Sequence, residues 1–171
     1  LLRAAATRIG ASIRFAGGAE DVIPQDRLVA AINEADVVVS LGRGVVEAML
    51  CGRVPLVVDI HGGDGLVTPN TLNEIRTNNF SGRRHGREYT VEDLVAELGK
   101  YRQEYGTRLR ELALEQFGAE QHGVFRCDRE PQSTAAGVAR GICLVEPFED
   151  VRQPLRRHSG PAVCDRDDEG I

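Results

Sequence analysis

The sequence lacks any apolar run long enough to cross a membrane. Apolar stretches such as Val37–Val39 and Val54–Val58 have only the length of β-strands, whereas a spanning helix needs about 20 apolar residues. A continuous basic stripe is also absent, because acids and bases alternate along a chain of 171 residues with a formal net charge of −5. The composition therefore predicts no transmembrane segment and no nucleic-acid partner.

The four cysteines lack the spacing of a metal site or a redox motif. Cys51, Cys127, Cys143 and Cys164 lie far apart, with no Cys-x-x-Cys pair and no histidine at ligand spacing. This pattern favours isolated reduced thiols, as in a cytoplasmic protein, and predicts no bound metal. The chain also lacks an initiator methionine and a signal-peptide pattern. We therefore expect a cytoplasmic fragment, with membrane association left open for the missing part.

What the sequence does contain is an alternation of strand and helix patterns. Residues 12–15, 36–40 and 54–59 have the pattern of buried strands, and residues 27–34 and 45–51 between them have helical patterns. Strands that are apolar on both faces are typical of a parallel sheet covered by helices. The fold class that we expect is α/β, with a Rossmann-like parallel sheet flanked by helices.

Beyond the third strand the pattern becomes irregular. Residues 61–90 are rich in glycine, asparagine, arginine and threonine and predict a long loop, a kind of segment that is often functional. Thr90 then predicts a helix start, because Asp93 stands three positions later and completes a capping box. We expect Gly106 to interrupt this helix before a second helical piece.

The last third of the chain has little apolar surface. From residue 123 onward the periodicity fades, and a short apolar strand at 142–145 stands alone. So little apolar surface does not offset the entropy of ordering the segment. We therefore expect one partial folded domain over residues 1–122 and a weakly ordered tail over residues 123–171.

The segment between the second and third strands carries residues suited to a ligand. Gly42, Arg43 and Gly44 form a loop that ends a strand and begins a helix. The free N–H groups and the positive dipole end of such a helix suit a phosphate, and the glycines let a diphosphate approach the backbone. Arg43 adds a charge-assisted contact, and Glu47, one turn later, suits the two hydroxyls of a ribose. Taken alone, a strand–glycine–helix turn is as often purely structural.

Two runs define this region, Ala35-Asp36-Val37-Val38-Val39-Ser40 and Glu47-Ala48-Met49-Leu50-Cys51-Gly52-Arg53. Together they resemble the donor-site motif of retaining GT-B glycosyltransferases of family 4, and the resemblance covers about residues 10–120. It implies the C-terminal, nucleotide-sugar-binding half of a truncated GT-B fold, with the acceptor bound by a missing N-terminal domain. It also implies that Glu47 binds the nucleotide ribose and that the amides of Gly44 and Val45 bind the diphosphate.

The resemblance implies a transferase that moves a sugar from a UDP- or GDP-linked donor to an acceptor, in polysaccharide or glycolipid synthesis. It implies no cofactor besides the donor and identifies no catalytic residue. The family pattern has another glutamate eight positions before Glu47, where this chain has Val39. A non-catalytic GT-B-like module that partners an active transferase is therefore the alternative, and a GT-B-shaped epimerase also stays open. Without the acceptor half we expect no sugar transfer by the chain alone.

A glycine-rich segment after the third strand is a second candidate for donor binding. It contains His61, Gly62, Gly63 and Asp64. This segment and the run 79–83 resemble a subfamily form of the loops that follow the donor motif, and they suit closure over the sugar or the phosphates. A glycine-rich surface loop without a ligand is the alternative.

A small basic cluster follows, made of Arg83, Arg84, His85 and Arg87. Its position in a polar stretch is typical of a solvated loop. The same charges also suit contact with a phosphate or an anionic acceptor. The sequence leaves both interpretations open.

Overall fold

The computed structural model describes residues 1–16, 25–117, 139 and 141–145. Within them the α-helices are α1 (Leu2–Ile9), α2 (Gln25–Asn33), α3 (Arg43–Leu50), α4 (Leu72–Ile75), α5 (Val91–Leu98) and α6 (Gln103–Phe117). The β-strands are β1 (Ser12–Ala16), β2 (Val37–Val39), β3 (Val54–Asp59), β4 (Gly62–Leu66) and β5 (Gly141–Val145). One 3₁₀ turn, Arg76–Asn78, follows α4.

The five strands form one sheet in the order β1-β5-β2-β3-β4. The pairs β1–β5, β5–β2 and β2–β3 are parallel, and only the β3–β4 pair is antiparallel. Helices connect the parallel strands, as crossovers of this kind require. The expected α/β fold, a mostly parallel sheet flanked by helices, is confirmed.

Burial on both faces explains why the central strands are apolar throughout. Val37 and Val39 of β2 pack in one hydrophobic cluster with α3, α5 and α6. Val38, which points to the opposite face of the strand, packs in a second cluster with Ile32 of α2 and Cys143 of β5. The sheet is therefore covered on both sides, as the apolar runs predicted.

The position of β5 corrects the expected division of the chain. The sequence places residues 141–145 in a weakly ordered tail beyond residue 122, but these residues form a strand between β1 and β2. Ala139 is also buried in the main hydrophobic cluster. The folded unit therefore extends beyond residue 122, and the rest of the expected tail lies outside the described residues.

The region expected as one long loop, residues 61–90, contains regular structure. Gly62–Leu66 form β4, and α4 and the 3₁₀ turn follow. The glycines of β4 serve close packing, because a Cβ on Gly63 would lie 2.2 Å from the Val57 carbonyl oxygen. The register shifts between Val57 and Val58, so that Asp64 is the extra residue of a β-bulge.

Two expectations for the C-terminal helices have opposite outcomes. The capping box is confirmed, since the Thr90 hydroxyl accepts from the Asp93 N–H at 3.1 Å while the Asp93 carboxylate accepts from the Thr90 N–H at 3.0 Å. The interruption at Gly106 is wrong, because the break lies between α5 and α6 and Gly106 is inside α6. A Cβ there would lie 2.2 Å from the Gly52 carbonyl oxygen, so this glycine allows α6 to pack against the turn before β3.

The cysteines differ from the expectation of isolated thiols. Cys51, at the end of α3, is disulfide-bonded, and the expectation is therefore wrong for this residue. Cys143 is a free thiol whose burial raises its pKa to about 11, so it stays protonated and unreactive at neutral pH. Within the described part of the chain, no helix has the length and apolar character to cross a membrane.

Candidate functional site

The N-terminus of α3 lies at the carboxyl edge of the sheet, immediately after β2. Gly42 is the N-cap residue, with φ of +53° and ψ of −123°, a conformation that side chains with a Cβ disfavour. Gly44 and Val45 stand in the first turn of the helix, as the sequence predicts. In open α/β sheets the carboxyl edge is where ligands bind, so this turn is the first candidate site.

The backbone N–H groups of this turn differ in whether they are free to donate a hydrogen bond to a ligand. Gly42 N–H donates to the Phe80 carbonyl oxygen at 3.0 Å. The amides of Gly44 and Val45 donate at 3.2 Å to the carbonyls of Leu41 and Gly42. Among the described residues, the Arg43 N–H has no backbone acceptor, and it is therefore the donor most open to an anion.

A buried hydroxyl lies against the same turn. Ser40, which directly follows β2, is only 3% exposed, and its Oγ has no hydrogen-bond partner within the described part of the chain. This Oγ lies 2.2 Å from where a Cβ on Gly44 would stand. A buried hydroxyl without a partner is unfavourable, so the site carries unused hydrogen-bonding capacity. Sequence reasoning missed this feature, because an unsatisfied hydroxyl leaves no pattern in the sequence.

Glu47, which a ribose-binding role predicts near the surface, is buried. Its side chain is 9% exposed and its Oε1 accepts from Arg43 Nε at 2.7 Å, while the Arg43 side chain is 61% exposed. The two residues are one helical turn apart, where side chains meet, so the guanidinium covers the carboxylate. The ion pair nevertheless lies at the glycine loop, and both residues border the α3 N-terminus.

The glycine-rich candidate residues do not form the loop that the sequence predicts. His61 is exposed at the turn between β3 and β4, and its N–H donates to Asp59 Oδ1 at 2.6 Å. Gly62, Gly63 and Asp64 belong to β4 and are buried. The glycines are explained by close backbone packing against Val57 and Arg87. The segment is thus part of an edge strand of the sheet. A role in donor binding stays a prediction.

Residues 79–87, which we call the covering segment, cross the carboxyl edge from the end of β2 to the start of β4. At one end, the Phe80 carbonyl oxygen accepts the hydrogen bond from the Gly42 N–H. At the other end, Gly63 and Arg87 form an antiparallel bridge, in which the Gly63 N–H donates to the Arg87 carbonyl at 2.9 Å and the Arg87 N–H donates to the Gly63 carbonyl at 3.1 Å. Between these ends, a Cβ on Gly82 would lie 3.4 Å from both the Leu41 side chain and the Gly63 Cα. The covering segment therefore borders both candidate regions.

The buried Asp64 side chain anchors the covering segment to β4. This side chain is completely buried, and its Oδ1 accepts from the His85 N–H at 2.7 Å and lies 3.7 Å from His85 Nδ1. The His85 Nε2 lies 3.2 Å from Glu74 Oε1. Asp64 Oδ2 has no partner in the described part. The bulge at Asp64 aims this carboxylate toward the covering segment, a use of bulges that is common next to functional sites.

Near the same strand, Tyr89 keeps its proton. Burial, reinforced by the negative charge of Glu97, raises the pKa of Tyr89 to about 12. The Glu97 Oε2 accepts from the Leu66 N–H at 3.2 Å, and Lys100 neutralises its other oxygen at 2.7 Å. This group fixes β4 to α5 and serves stability. Among the described residues, no cluster of three His, Cys, Asp or Glu side chains is arranged to hold a metal ion.

Comparison with protein-family models, with curated proteins and with solved structures finds no match for this chain. The site must therefore be interpreted from its own geometry. It combines a helix N-terminus at the carboxyl edge of a parallel sheet, a buried carboxylate one turn into that helix, and a covering segment with several basic side chains.

Proposed function

We propose that this chain binds the nucleoside diphosphate of a sugar donor at the N-terminus of α3, as part of a retaining glycosyltransferase. The observation that carries the proposal is the buried Glu47 carboxylate, which Arg43 holds beside the Gly42–Gly44 loop. In this proposal the donor is UDP- or GDP-linked, and the reaction belongs to polysaccharide or glycolipid synthesis. The sequence resemblance of the donor motif supports the same assignment.

Each part of such a ligand has a suitable group at this site. The diphosphate would accept from the Arg43 N–H and gain from the positive end of the α3 dipole, as anions do at helix N-termini. The ribose hydroxyls would donate to Glu47 in place of the Arg43 guanidinium. Arg43, released from Glu47, would then bind a phosphate oxygen. One ligand would therefore use both members of the ion pair.

A non-catalytic module is the second candidate, and one observation favours it. Val39, at the position where the family pattern has its additional glutamate, is 2% exposed within β2. No carboxylate is available there for the donor sugar. A module of this kind would bind the nucleotide but would show no transferase activity after it is joined with an acceptor-binding partner. An enzyme joined with the same partner would hydrolyse or transfer the sugar.

A titration monitored by NMR tests the proposal on the intact chain. We expect UDP or GDP to bind in the millimolar range, about −4 kcal/mol, and to shift the amide signals of Arg43 and Gly44. Glu47→Gln should weaken binding by about 1–3 kcal/mol, the range for losing hydrogen bonds to a charged group. Glu111→Gln, which removes the exposed carboxylate of a similar ion pair with Arg108 in α6, is the matched control and should change nothing. The proposal fails if neither nucleotide binds, or if both variants behave alike.

A further inference from the structure

The covering segment carries a guanidinium that has no acidic partner among the described residues, and we propose that it is a phosphate-binding group. Specifically, Arg83 binds the diphosphate of the ligand at the α3 N-terminus. This inference rests on the proposed function and adds a residue that lies outside the donor motif. It makes the site two-sided, with the helix on one side and the covering segment on the other.

Arg83 follows a part of the covering segment that contacts the α3 N-terminus. The Phe80 carbonyl oxygen accepts from the Gly42 N–H at 3.0 Å, so the covering segment touches the N-cap of α3. Two residues later, a Cβ on Gly82 would lie 3.4 Å from Leu41 Cδ2, so the segment is still in contact with the loop that begins the helix. Arg83 follows directly and is exposed. It therefore stands beside the turn where the phosphates would bind.

Arg83 also differs from the other basic side chains of the covering segment in its charge environment. Every other basic side chain of the covering segment has an acidic partner: Arg84 lies 3.8 Å from Glu74, His85 lies between Glu74 and Asp64, and Arg87 pairs with Asp93. Among the described residues Arg83 has no such partner. A free guanidinium offers its planar set of donors to a phosphate, which it can bind with two parallel hydrogen bonds.

The helix side of the site carries an unused polar group. The Ser40 hydroxyl, 3% exposed and without a partner in the described residues, lies against Gly44 in the first turn. This unused group, independent of the helix dipole, indicates that the turn is built for a polar ligand. On the same side, Arg43 is neutralised by its ion pair with Glu47. Arg83 of the covering segment therefore supplies the positive charge that is available when the phosphates of the ligand first approach.

The covering segment is also anchored well enough to position a side chain. Phe80 is 1% exposed, and its ring packs on Phe117 of α6 with 6.2 Å between centroids. At the other end, Asp64 accepts from the His85 N–H at 2.7 Å. Arg83 lies between these two anchors. Its backbone is therefore fixed, and only its side chain must be ordered when a phosphate binds.

The experiment is an NMR titration of the intact chain with UDP or GDP, whichever binds more tightly, with the matching monophosphate, and with inorganic diphosphate. We expect Arg83→Gln to weaken diphosphate binding about tenfold, the lower part of the range for a charged hydrogen bond at an exposed site. Binding of the monophosphate should weaken much less, because it has no outer phosphate. The matched control, Arg84→Gln on the same segment, should bind like the wild type. Far-ultraviolet circular dichroism checks that the variants are folded.

The outcomes separate this inference from the proposed function. If Arg83→Gln binds the nucleoside diphosphate as well as the wild type does, or if Arg84→Gln weakens binding equally, the assignment of Arg83 is wrong while the proposed function stands. If inorganic diphosphate binds as tightly as the nucleotide and loses affinity in Arg83→Gln, Arg83 is a phosphate ligand and nucleotide recognition is refuted. If the wild type binds none of the ligands, both proposals are wrong.

Discussion

At the scale of single residues, glycines determine how closely backbone segments approach each other. A Cβ on Gly44, Gly63 or Gly106 would lie 2.2 Å from a neighbouring oxygen atom. For Gly63 and Gly106 that oxygen is a backbone carbonyl, whereas for Gly44 it is the Ser40 hydroxyl. The obstacle to a side chain at position 44 is therefore the Ser40 hydroxyl, which a mutation can remove. The free energy of the steric clash between the two side chains can be measured.

Gly44→Ala should destabilise the fold by about 1–3 kcal/mol, the usual range for overpacking. Ser40→Ala should be neutral or stabilising, because it removes a buried hydroxyl that has no partner in the described residues. In the double variant, most of the Gly44→Ala cost should disappear, because the Oγ that the new methyl group meets is gone. Urea unfolding of the four proteins gives the coupling free energy. A coupling near zero would mean that the hydroxyl is not the obstacle.

Residue types at the site were predictable, but their environments were not. The spacing from the glycine loop identified Glu47 as a ribose-binding candidate, yet that spacing does not show that the side chain is buried and paired with Arg43. Asp64 was a candidate because of the glycines around it. Asp64 anchors the covering segment because a bulge in β4 orients its carboxylate and because the carboxylate accepts from His85, 21 residues away. No local sequence pattern predicts the bulge or the contact.

At the scale of secondary-structure elements, local patterns predicted β2, α3, β3 and the start of α5. In each of these, burial, propensity and capping agree in a short stretch of sequence. The strand β4 was missed because three of its five residues are glycine and one is aspartate, types that are rare in strands. Its formation depends on pairing with β3. Tertiary contacts thus override weak propensity at this edge of the sheet.

The capping box of α5 makes a testable contribution to stability. Thr90→Ala should cost about 1 kcal/mol, the typical loss for an N-cap, as measured by thermal or urea unfolding at neutral pH. Thr107→Ala, at an exposed position within α6, is the control substitution and should not lower the stability. Equal stability of Thr90→Ala and the wild type would show that solvent replaces the cap.

The same cap predicts a pH dependence with a definite sign. Hydrogen bonds from the Thr90 side chain and backbone lower the pKa of Asp93 from its ordinary value of 3.8. A lowered folded-state pKa means that the stabilisation is present above 3.8 and is lost as the pH falls through the folded value. The destabilisation caused by Thr90→Ala should therefore shrink in acid. A penalty that is unchanged well below pH 3.8 would contradict the reciprocal hydrogen bonds.

At the scale of the whole molecule, the arrangement of the sheet differs most from the sequence-based expectation. The apolar strand at 142–145 was recognised as a strand, but its place between β1 and β2 was not. Strand order depends on which edges are free once the helices have packed, and periodicity carries no information about that. The sequence therefore predicted the layers of the fold without the position of one of its inner strands.

The inner position of β5 predicts that a mutation there is costly. Ile142→Ala should lower the free energy of unfolding by about 3 kcal/mol, as for other buried aliphatic truncations, because Ile142 is 2% exposed in the main cluster. Leu114→Ala, at a position that is 46% exposed in α6, is the control and should change it by less than about 0.5 kcal/mol. Urea denaturation measures both. Similar stabilities would mean that β5 is not part of the stable sheet, as the sequence alone suggests.

The insertion of β5 also affects how the chain can fold while it is being synthesised. Ser12 pairs with Gly141, so about 130 residues must leave the ribosome before β1 has its partner. Until then, β1 and one side of β2 are unpaired strand edges, which are prone to intermolecular pairing. Long sequence separation between contacting residues also slows folding. A nascent chain of this protein should therefore depend on protection by chaperones until β5 has been made.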